Sequence, residues 1–304
     1  MTSNPIRAWA AVLVLAGASL CGTAAARTVT LEHDGLTVNG ELELADGKTL
    51  ADGLILMTHG TLAHSRMEIM RGLQNVFKEY GFNTLSINLS LGQSDRSGMY
   101  DCAARHVHKH TDAVDEIGAW LDWAKKEGAE GVVLLGHSRG GNQTAWFAAE
   151  RGDPAVKAVV LVAPALWDAQ YEREQYRSRY GEDLAGLLDK AKGLVEQGKG
   201  EAVLKGVDFV YCEDTEVTAE TFVNYYEDDP RKDTPHLLPK IEAPVLVFAG
   251  SEDTVVKGLE QKVEPLADGD KVQLVVIDGA EHMFRDLYQY DIVEGVQAFL
   301  EERQ

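Results

Sequence analysis

The sequence predicts an α/β fold: a mostly parallel sheet with helices on both faces and a helical cap inserted into it. Three observations carry this expectation. Short apolar runs rich in β-branched residues, at 53–58, 82–89, 131–135, 156–163, 243–250 and 271–277, alternate with segments of helical spacing. Such alternation implies parallel strands buried on both faces. A serine sits on the tight turn Gly136-His137-Ser138-Arg139-Gly140, between one of those strands and a helix. The alternation then fails between Trp167 and Pro239, a charged stretch poor in buried-type strands. With 304 residues, 45% of them hydrophobic, the chain can bury a large core without covalent staples.

Taken in order, the first 26 residues read as an export signal. Arg7 precedes an uncharged run from Ala8 to Leu20, and Ala24-Ala25-Ala26 offers small residues for cleavage. The run is short for a bilayer core of about 30 Å. No later segment has the apolar length of a membrane helix. An exported protein, periplasmic or secreted and with no stable membrane insertion, is therefore expected. Strands at 28–32 and 36–44 turn at His33-Asp34-Gly35. Residues 65–80 carry Ile69, Leu73, Val76 and Phe77 on one helical face, ending at Gly81. A helix over 112–127 opens at Thr111-Asp112 with Val114, Ile117, Leu121 and Ala124 as its apolar stripe.

The core is expected over 27–166 and 240–304, interrupted by a cap at 167–239 with helices near 184–197 and 219–226. Six of the ten tyrosines (Tyr171, Tyr176, Tyr180, Tyr211, Tyr225 and Tyr226) lie in that cap; most are expected to pack it onto the core, and lining of a substrate pocket is the alternative for the others. A helix over 286–301 closes the chain.

The formal charge is −20, and removal of residues 1–26 deletes one arginine and no acid, giving −21. So acidic a surface repels nucleic acid and anionic membranes, and it says nothing positive about a substrate; no protein partner is inferable. No motif asks for a cofactor. Of three cysteines, Cys102 and Cys212 survive cleavage. Both belong to segments expected at the C-terminal edge of the sheet, and an oxidising compartment lets a Cys102–Cys212 disulfide persist. Two separate thiols are the alternative.

Three further pieces fall at strand ends, where an open α/β sheet places its active site. Asp253 follows the strand at 245–249, His282 follows the strand at 272–277, and His59-Gly60-Thr61 follows the strand at 54–58. Gly136-His137-Ser138-Arg139-Gly140-Gly141, Gly250-Ser251-Glu252-Asp253-Thr254-Val255 and Gly279-Ala280-Glu281-His282 together resemble the α/β-hydrolase-fold serine hydrolases of the esterase and lipase type, over roughly residues 50 to 304. The chain order Ser138, Asp253, His282 is the one found where a nucleophile elbow is built into this sheet.

The resemblance implies a Ser138 nucleophile, His282 as its general base and Asp253 to orient His282. The backbone N–H groups of Thr61 and Arg139 would form the oxyanion hole. The Arg139 side chain is not needed for that and reads as a surface cation. Glu252 and Glu281 read as solvated loop carboxylates. The resemblance further implies hydrolysis of a small-molecule carboxylic ester through an acyl-enzyme. Amide or peptide hydrolysis, carbon–carbon bond hydrolysis and a silent binding protein of the same fold stand as alternatives. Relatives with epoxide or haloalkane chemistry carry Asp where this chain has Ser138. Many relatives read Asp-x-x-Gly-x-Gly-x-Ser over the segment that begins here at Asn88, so Asn88 and Ser90 depart from the pattern in a loop that normally walls the pocket.

His106, His108 and His110 lie on one side of an extended segment, an arrangement that would suit a metal, but no Asp or Cys at ligand spacing completes a set. They are expected to be solvated loop histidines, with no metal site. His59 is expected to orient its loop by hydrogen bonds.

Overall fold

The computed structural model describes residues 26–303, so the export-signal reading of 1–26 falls almost wholly outside the described residues. The main sheet has eight strands. β1 (Arg27–His33) and β2 (Leu36–Glu43) form an antiparallel hairpin at one edge. β2 pairs antiparallel with β4 (Thr84–Asn88), which lies beside β3 (Leu54–Thr58). From there β5 (Val132–His137), β6 (Val156–Val162), β9 (Val245–Gly250) and β10 (Val272–Ile277) continue in parallel, giving the order β1-β2-β4-β3-β5-β6-β9-β10.

The central strands are apolar on both sides because both sides are covered. Leu54, Leu56, Leu134, Val159 and Leu161 face α2 (Asp112–Lys126) and α3 (Arg139–Glu150), whose Ile117, Trp120 and Phe147 complete that core. Ile55, Met57, Val133, Leu135 and Val160 face α1 (Glu68–Glu79) and the closing α8 (Tyr288–Glu301), which add Leu73, Phe77, Val296 and Phe299. Alternate side chains of one strand thus enter different cores, as the period of a strand requires.

Between β6 and β9 the chain leaves the sheet. It forms α4 (Ala169–Tyr180), α5 (Leu184–Glu196), the hairpin β7 (Val203–Phe209) and β8 (Cys212–Thr218), α6 (Ala219–Tyr226) and the short α7 (Thr234–Leu237). The sequence reads this segment as a helical cap poor in buried-type strands and does not mark the hairpin, which the structure adds. Its alternation is masked because the register shifts between Lys205 and Val207 and again between Val207 and Phe209, with Gly206 at φ 64°. Leu204, Val207, Phe209 and Val217 nevertheless all face inward. α4 escapes sequence detection for the opposite reason. It buries only Tyr176, so it shows no apolar stripe, and it is held by its caps, Asp168 accepting the Tyr171 N–H and Gly181 at φ 77°.

The loop after β4 is fastened to the hairpin. His106 pairs in parallel with Val217, its N–H donating to Glu216 O and its carbonyl accepting from Thr218. Cys102 and Cys212 form a disulfide across 110 residues, with Cα atoms 5.3 Å apart.

Candidate active site

Ser138 stands between the end of β5 and the start of α3 with φ 57° and ψ −124°, a conformation that costs a non-glycine residue energy and lifts its side chain clear of the sheet. The surrounding glycines make the turn possible. A Cβ on Gly136 would lie 2.4 Å from Gly140 O, and one on Gly140 would lie 2.2 Å from His59 O. The Ser138 carbonyl is fixed by the N–H groups of Gly141 and Ala165, both at 2.9 Å.

Two other strand ends bring their side chains to this serine. A Cβ on Gly250, at the end of β9, would fall 2.4 Å from Ala280 O; without one, the 251–253 turn approaches the 278–282 turn, and the Glu252 N–H donates to Ala280 O at 3.0 Å. His282 then lies with Nε2 3.0 Å from Ser138 Oγ and Nδ1 2.8 Å from Asp253 Oδ2. The second oxygen of Asp253 accepts the N–H groups of Val255 at 2.7 Å and Val256 at 2.9 Å. Burial works to raise the Asp253 pKa, but the hydrogen bond and charge of His282 and the two backbone amides outweigh it, so the carboxyl titrates below its ordinary value. With Asp253 ionised, Nδ1 of His282 carries the proton and Nε2 is free to accept one. The neighbouring acids are elsewhere: Glu281 pairs with Arg285, and Glu252 is exposed.

The loop after β3 passes beside the serine, and a Cβ on Gly60 would be 3.2 Å from Ser138 Cβ. His59 beneath it is fully buried. Its Nδ1–H donates to Gly60 O at 2.9 Å, and its Nε2 accepts from Leu89 N and from Arg96 Nη2. Burial and the Arg96 charge push its pKa down to about 3, so it is a neutral strut.

Arg96 also donates to Leu89 O, Gly98 O, Ala63 O and Asn88 Oδ1. Asn88 accepts that bond and, through Nδ2, donates to Asn39 Oδ1. Ser90 donates through Oγ and N to the buried Glu116, at 2.6 and 2.8 Å. The two departures at 88 and 90 thus belong to a polar network that stiffens this loop.

Three features were not legible beforehand. His137, the last residue of β5, is buried; its Nε2–H donates to the carbonyl of His282 at 3.0 Å, and the two rings lie 4.8 Å apart. Burial first, then the nearby His282, push its pKa down to about 3, so it stays neutral beside the His282 ring. Its only sequence signal was its place inside the elbow.

The Arg139 side chain is not the loose surface cation expected. Nε donates to Thr61 Oγ1 at 3.0 Å, Nη1 to His110 Nδ1 at 3.3 Å, and the guanidinium lies 5.2 Å from the centre of the Tyr225 ring.

Nor are His106, His108 and His110 solvated: all three are buried. His106 Nδ1 is 3.1 Å from His108 Nε2, His108 Nδ1 is 2.8 Å from the Tyr225 hydroxyl, and His110 Nε2–H donates to Asn142 Oδ1 at 2.9 Å. Burial lowers His106 to about 4 and holds the other two well below the ordinary histidine value. They are covered because the β7–β8 hairpin and α6 fold over the loop. His110 Nδ1 accepts from Arg139, the other bonds of the file are to neutral groups, and His106 Nε2 is buried without a hydrogen-bond partner among the described residues; no group of histidine, cysteine and carboxylate side chains among the described residues is arranged to hold a metal.

Above Ser138 lies a cavity of about 310 Å³, bounded by Thr61, Arg139, Trp167, Tyr171, Glu172 and Val255 among others. It continues into a second of about 320 Å³, walled by all six tyrosines of the 167–239 segment. Tyr176, Tyr225 and Tyr226 are buried packing residues, whereas Tyr171 and Tyr211 are exposed at the opening.

A parallel sheet with a strained serine at the end of β5 and an acid and a histidine at the ends of β9 and β10 defines an α/β hydrolase. The family described as Serine aminopeptidase, S33 matches residues 50–285, and the chain belongs to that family of hydrolases. No curated protein matches the chain. Among solved structures it is similar to Est1E from Butyrivibrio proteoclasticus with ferulic acid bound, at 22% identity and a TM-score of 0.64, over 90% of this chain and 98% of that one. It is also similar to a monoacylglycerol lipase of Paleococcus ferrophilus, at 16% identity and a TM-score of 0.60, over 88% and 99% of the two chains. Among the described residues no helix is long and apolar enough to cross a membrane.

Proposed function

We propose that the protein is an exported serine hydrolase that cleaves a carboxylic ester of a small molecule through an acyl-enzyme on Ser138. The observation that carries this reading is the hydrogen-bonded file from Ser138 Oγ through the His282 ring to Asp253. Ser138 alone is a weak nucleophile at neutral pH and needs a base in contact with it. His282 Nε2 takes the hydroxyl proton as Oγ attacks the ester carbonyl. The oxyanion of the tetrahedral intermediate is held by the backbone N–H groups of Thr61 and Arg139. His282 returns the proton to the departing alcohol. It then takes a proton from the water that attacks the acyl carbonyl and passes that proton to Oγ as the Oγ–acyl bond breaks, which releases the acid and restores Ser138. Asp253 fixes the tautomer of His282 and stabilises the imidazolium.

The 167–239 segment acts as the cap, its aromatic wall facing the serine. Export agrees with the apolar stretch before Ala24 and with a disulfide, which persists in an oxidising compartment. Esterase activity is favoured by the similar structures, one holding ferulic acid and one titled a monoacylglycerol lipase. The family's description as a serine aminopeptidase supports amide hydrolysis as the second reading on the same residues.

Labelling with a fluorophosphonate, together with turnover of p-nitrophenyl esters and aminoacyl p-nitroanilides, tests both. Wild-type protein should label once and Ser138→Ala not at all. Full labelling of the variant would remove Ser138 from the role, and turnover of anilides alone would replace the ester reading by the amide one.

A further inference from the structure

The protein is strongly acidic, yet the lining of its two joined cavities is not. Arg139, Lys257 and Lys262 border the cavity that holds Ser138, and Arg139, Arg179 and Lys257 border the one behind it. The only acids on these walls are Asp168 and Glu172. Asp168 is engaged as the cap of α4, accepting the Tyr171 N–H at 2.8 Å, and Lys262 is paired with Asp233 at 3.0 Å. Among the described residues no carboxylate lies within ion-pair distance of Arg139, Arg179 or Lys257. Arg179 instead donates to Val210 O and stacks on Tyr211 at 4.8 Å.

Arg139 is the cation nearest the chemistry, one residue from the nucleophile. Its Nε and Nη1 are spoken for by Thr61 and the neutral His110, and Tyr225 supports its plane. Nη2 has no partner among the described residues. A half-buried guanidinium is ordinarily matched by an anion, because removing a charge from water is costly unless a counter-charge replaces it. Here the arginine is oriented by neutral groups, Glu172 on the same wall acts on it from beyond ion-pair distance, and the residue borders the cavity above Ser138.

The geometry points to Arg139 as an anion-accepting subsite, so that the preferred substrate is an ester whose acyl part carries a second, negatively charged carboxylate. This rests on the ester reading above. The charged hydrogen bond that Nη2 supplies comes from a guanidinium plane already fixed by Thr61, His110 and Tyr225, which gives a geometric selection that a flexible lysine does not. Arg179 and Lys257 add a positive field along the path from the opening. Glu172 sets a limit on it. Burial raises its carboxyl pKa more than Arg139, Arg179 and Lys232 lower it, and in its ionised form it competes with an incoming carboxylate for the same cations.

The test compares p-nitrophenyl hemiglutarate with p-nitrophenyl valerate, acyl groups of equal chain length that differ in the terminal carboxylate. In the wild type, kcat/KM for the hemiglutarate should exceed that for the valerate by about tenfold or more, and added salt should narrow the ratio. Arg139→Met should lower both rates, since Thr61 loses its clamp. It should also reduce the ratio by about 10- to 100-fold, the loss expected of a charge-assisted hydrogen bond. Arg139→Lys should fall between. Thr61→Val, which removes the clamp's acceptor and keeps the guanidinium, should lower both esters in proportion. Glu172→Gln should raise the ratio.

A wild type that prefers the valerate, or an Arg139→Met ratio equal to that of the wild type, overturns the subsite and leaves the ester reading intact. Calorimetric titration of Ser138→Ala with glutarate and with valerate needs no turnover. Binding of glutarate at least tenfold tighter, abolished by adding Arg139→Met, supports the subsite even if neither ester is cleaved, an outcome that would sink the ester reading instead. Equal or absent binding of the two acids counts against the subsite.

Discussion

Replacing Asp253 with Asn changes one atom and separates a charge role from a shape role. Oδ1 of Asp253 accepts two backbone N–H groups, from Val255 and Val256, while Oδ2 faces His282 Nδ1 at 2.8 Å. An asparagine satisfies the two amides only with its carbonyl oxygen. Turning it over would set an NH₂ against two N–H donors, at a cost of about 1–3 kcal/mol for each group left unmatched. The NH₂ therefore faces His282, and Nδ1 must present a lone pair to it. The ring proton then moves to Nε2, 3.0 Å from Ser138 Oγ, where it blocks acceptance of the serine proton. Other triads lose about 10⁴-fold in kcat when the wrong tautomer is imposed, equivalent to about 5.4 kcal/mol at 1.36 kcal/mol per decade. The expected result is a loss of that order in kcat with KM little changed. Far-UV circular dichroism should be unaltered, and fluorophosphonate labelling slowed in step. A folded variant within tenfold of wild-type turnover would refute the argument, and doubly so if Glu252→Gln proved inactive.

Three further predictions follow from the same contacts. His137→Phe keeps an aromatic ring but deletes the bond to the His282 carbonyl, and should lower kcat about 10-fold or more with KM preserved; His137→Gln, able to donate again, should recover part of it, and equal rates in all three proteins would show that the bond positions nothing. Buried His59 and His137, at about 3, and His106, at about 4, bind protons more readily unfolded than folded. Because the unfolded value is about 6.5 and the folded values lie below it, stability is complete above that value and falls as pH drops toward 4, on the order of 1.4 kcal/mol per pH unit for each histidine. Thermal melts from pH 7.5 to 4.5 read this directly, and a constant Tm would contradict it. The Cys102→Ser, Cys212→Ser variant should unfold several degrees earlier, since closing a loop of 110 residues is worth up to about 4–5 kcal/mol; an unchanged Tm, or free thiols at both positions in protein taken from an oxidising compartment, would contradict it.

The part of the protein that local chemistry dictates was legible in the sequence. Continuous apolar runs mark the central strands because both of their faces are covered, and a 3.6-residue period marks the helices on them because each buries one face. The serine turn declares itself because only glycine fits at 136 and 140 once backbone atoms come within 3 Å. The residues at the three other strand ends could be named because a parallel sheet gathers its C-terminal ends on one edge.

What tertiary structure alone decided has a common cause: the partner lies far away in the chain. The bulged hairpin at 203–218 lost its alternation to register shifts. The three histidines became a buried file only because α6, more than 100 residues later, brings Tyr225 over them. His137 was one variable position of a motif until a turn 145 residues away placed a carbonyl on its ring. Arg139 had the composition of a surface residue, and it acquired its place because Thr61, His110 and Tyr225 converge on it from three separate segments. Side-chain hydrogen bonds are short and directional, so their partners are set by where the fold brings segments together, which no local pattern of residues encodes.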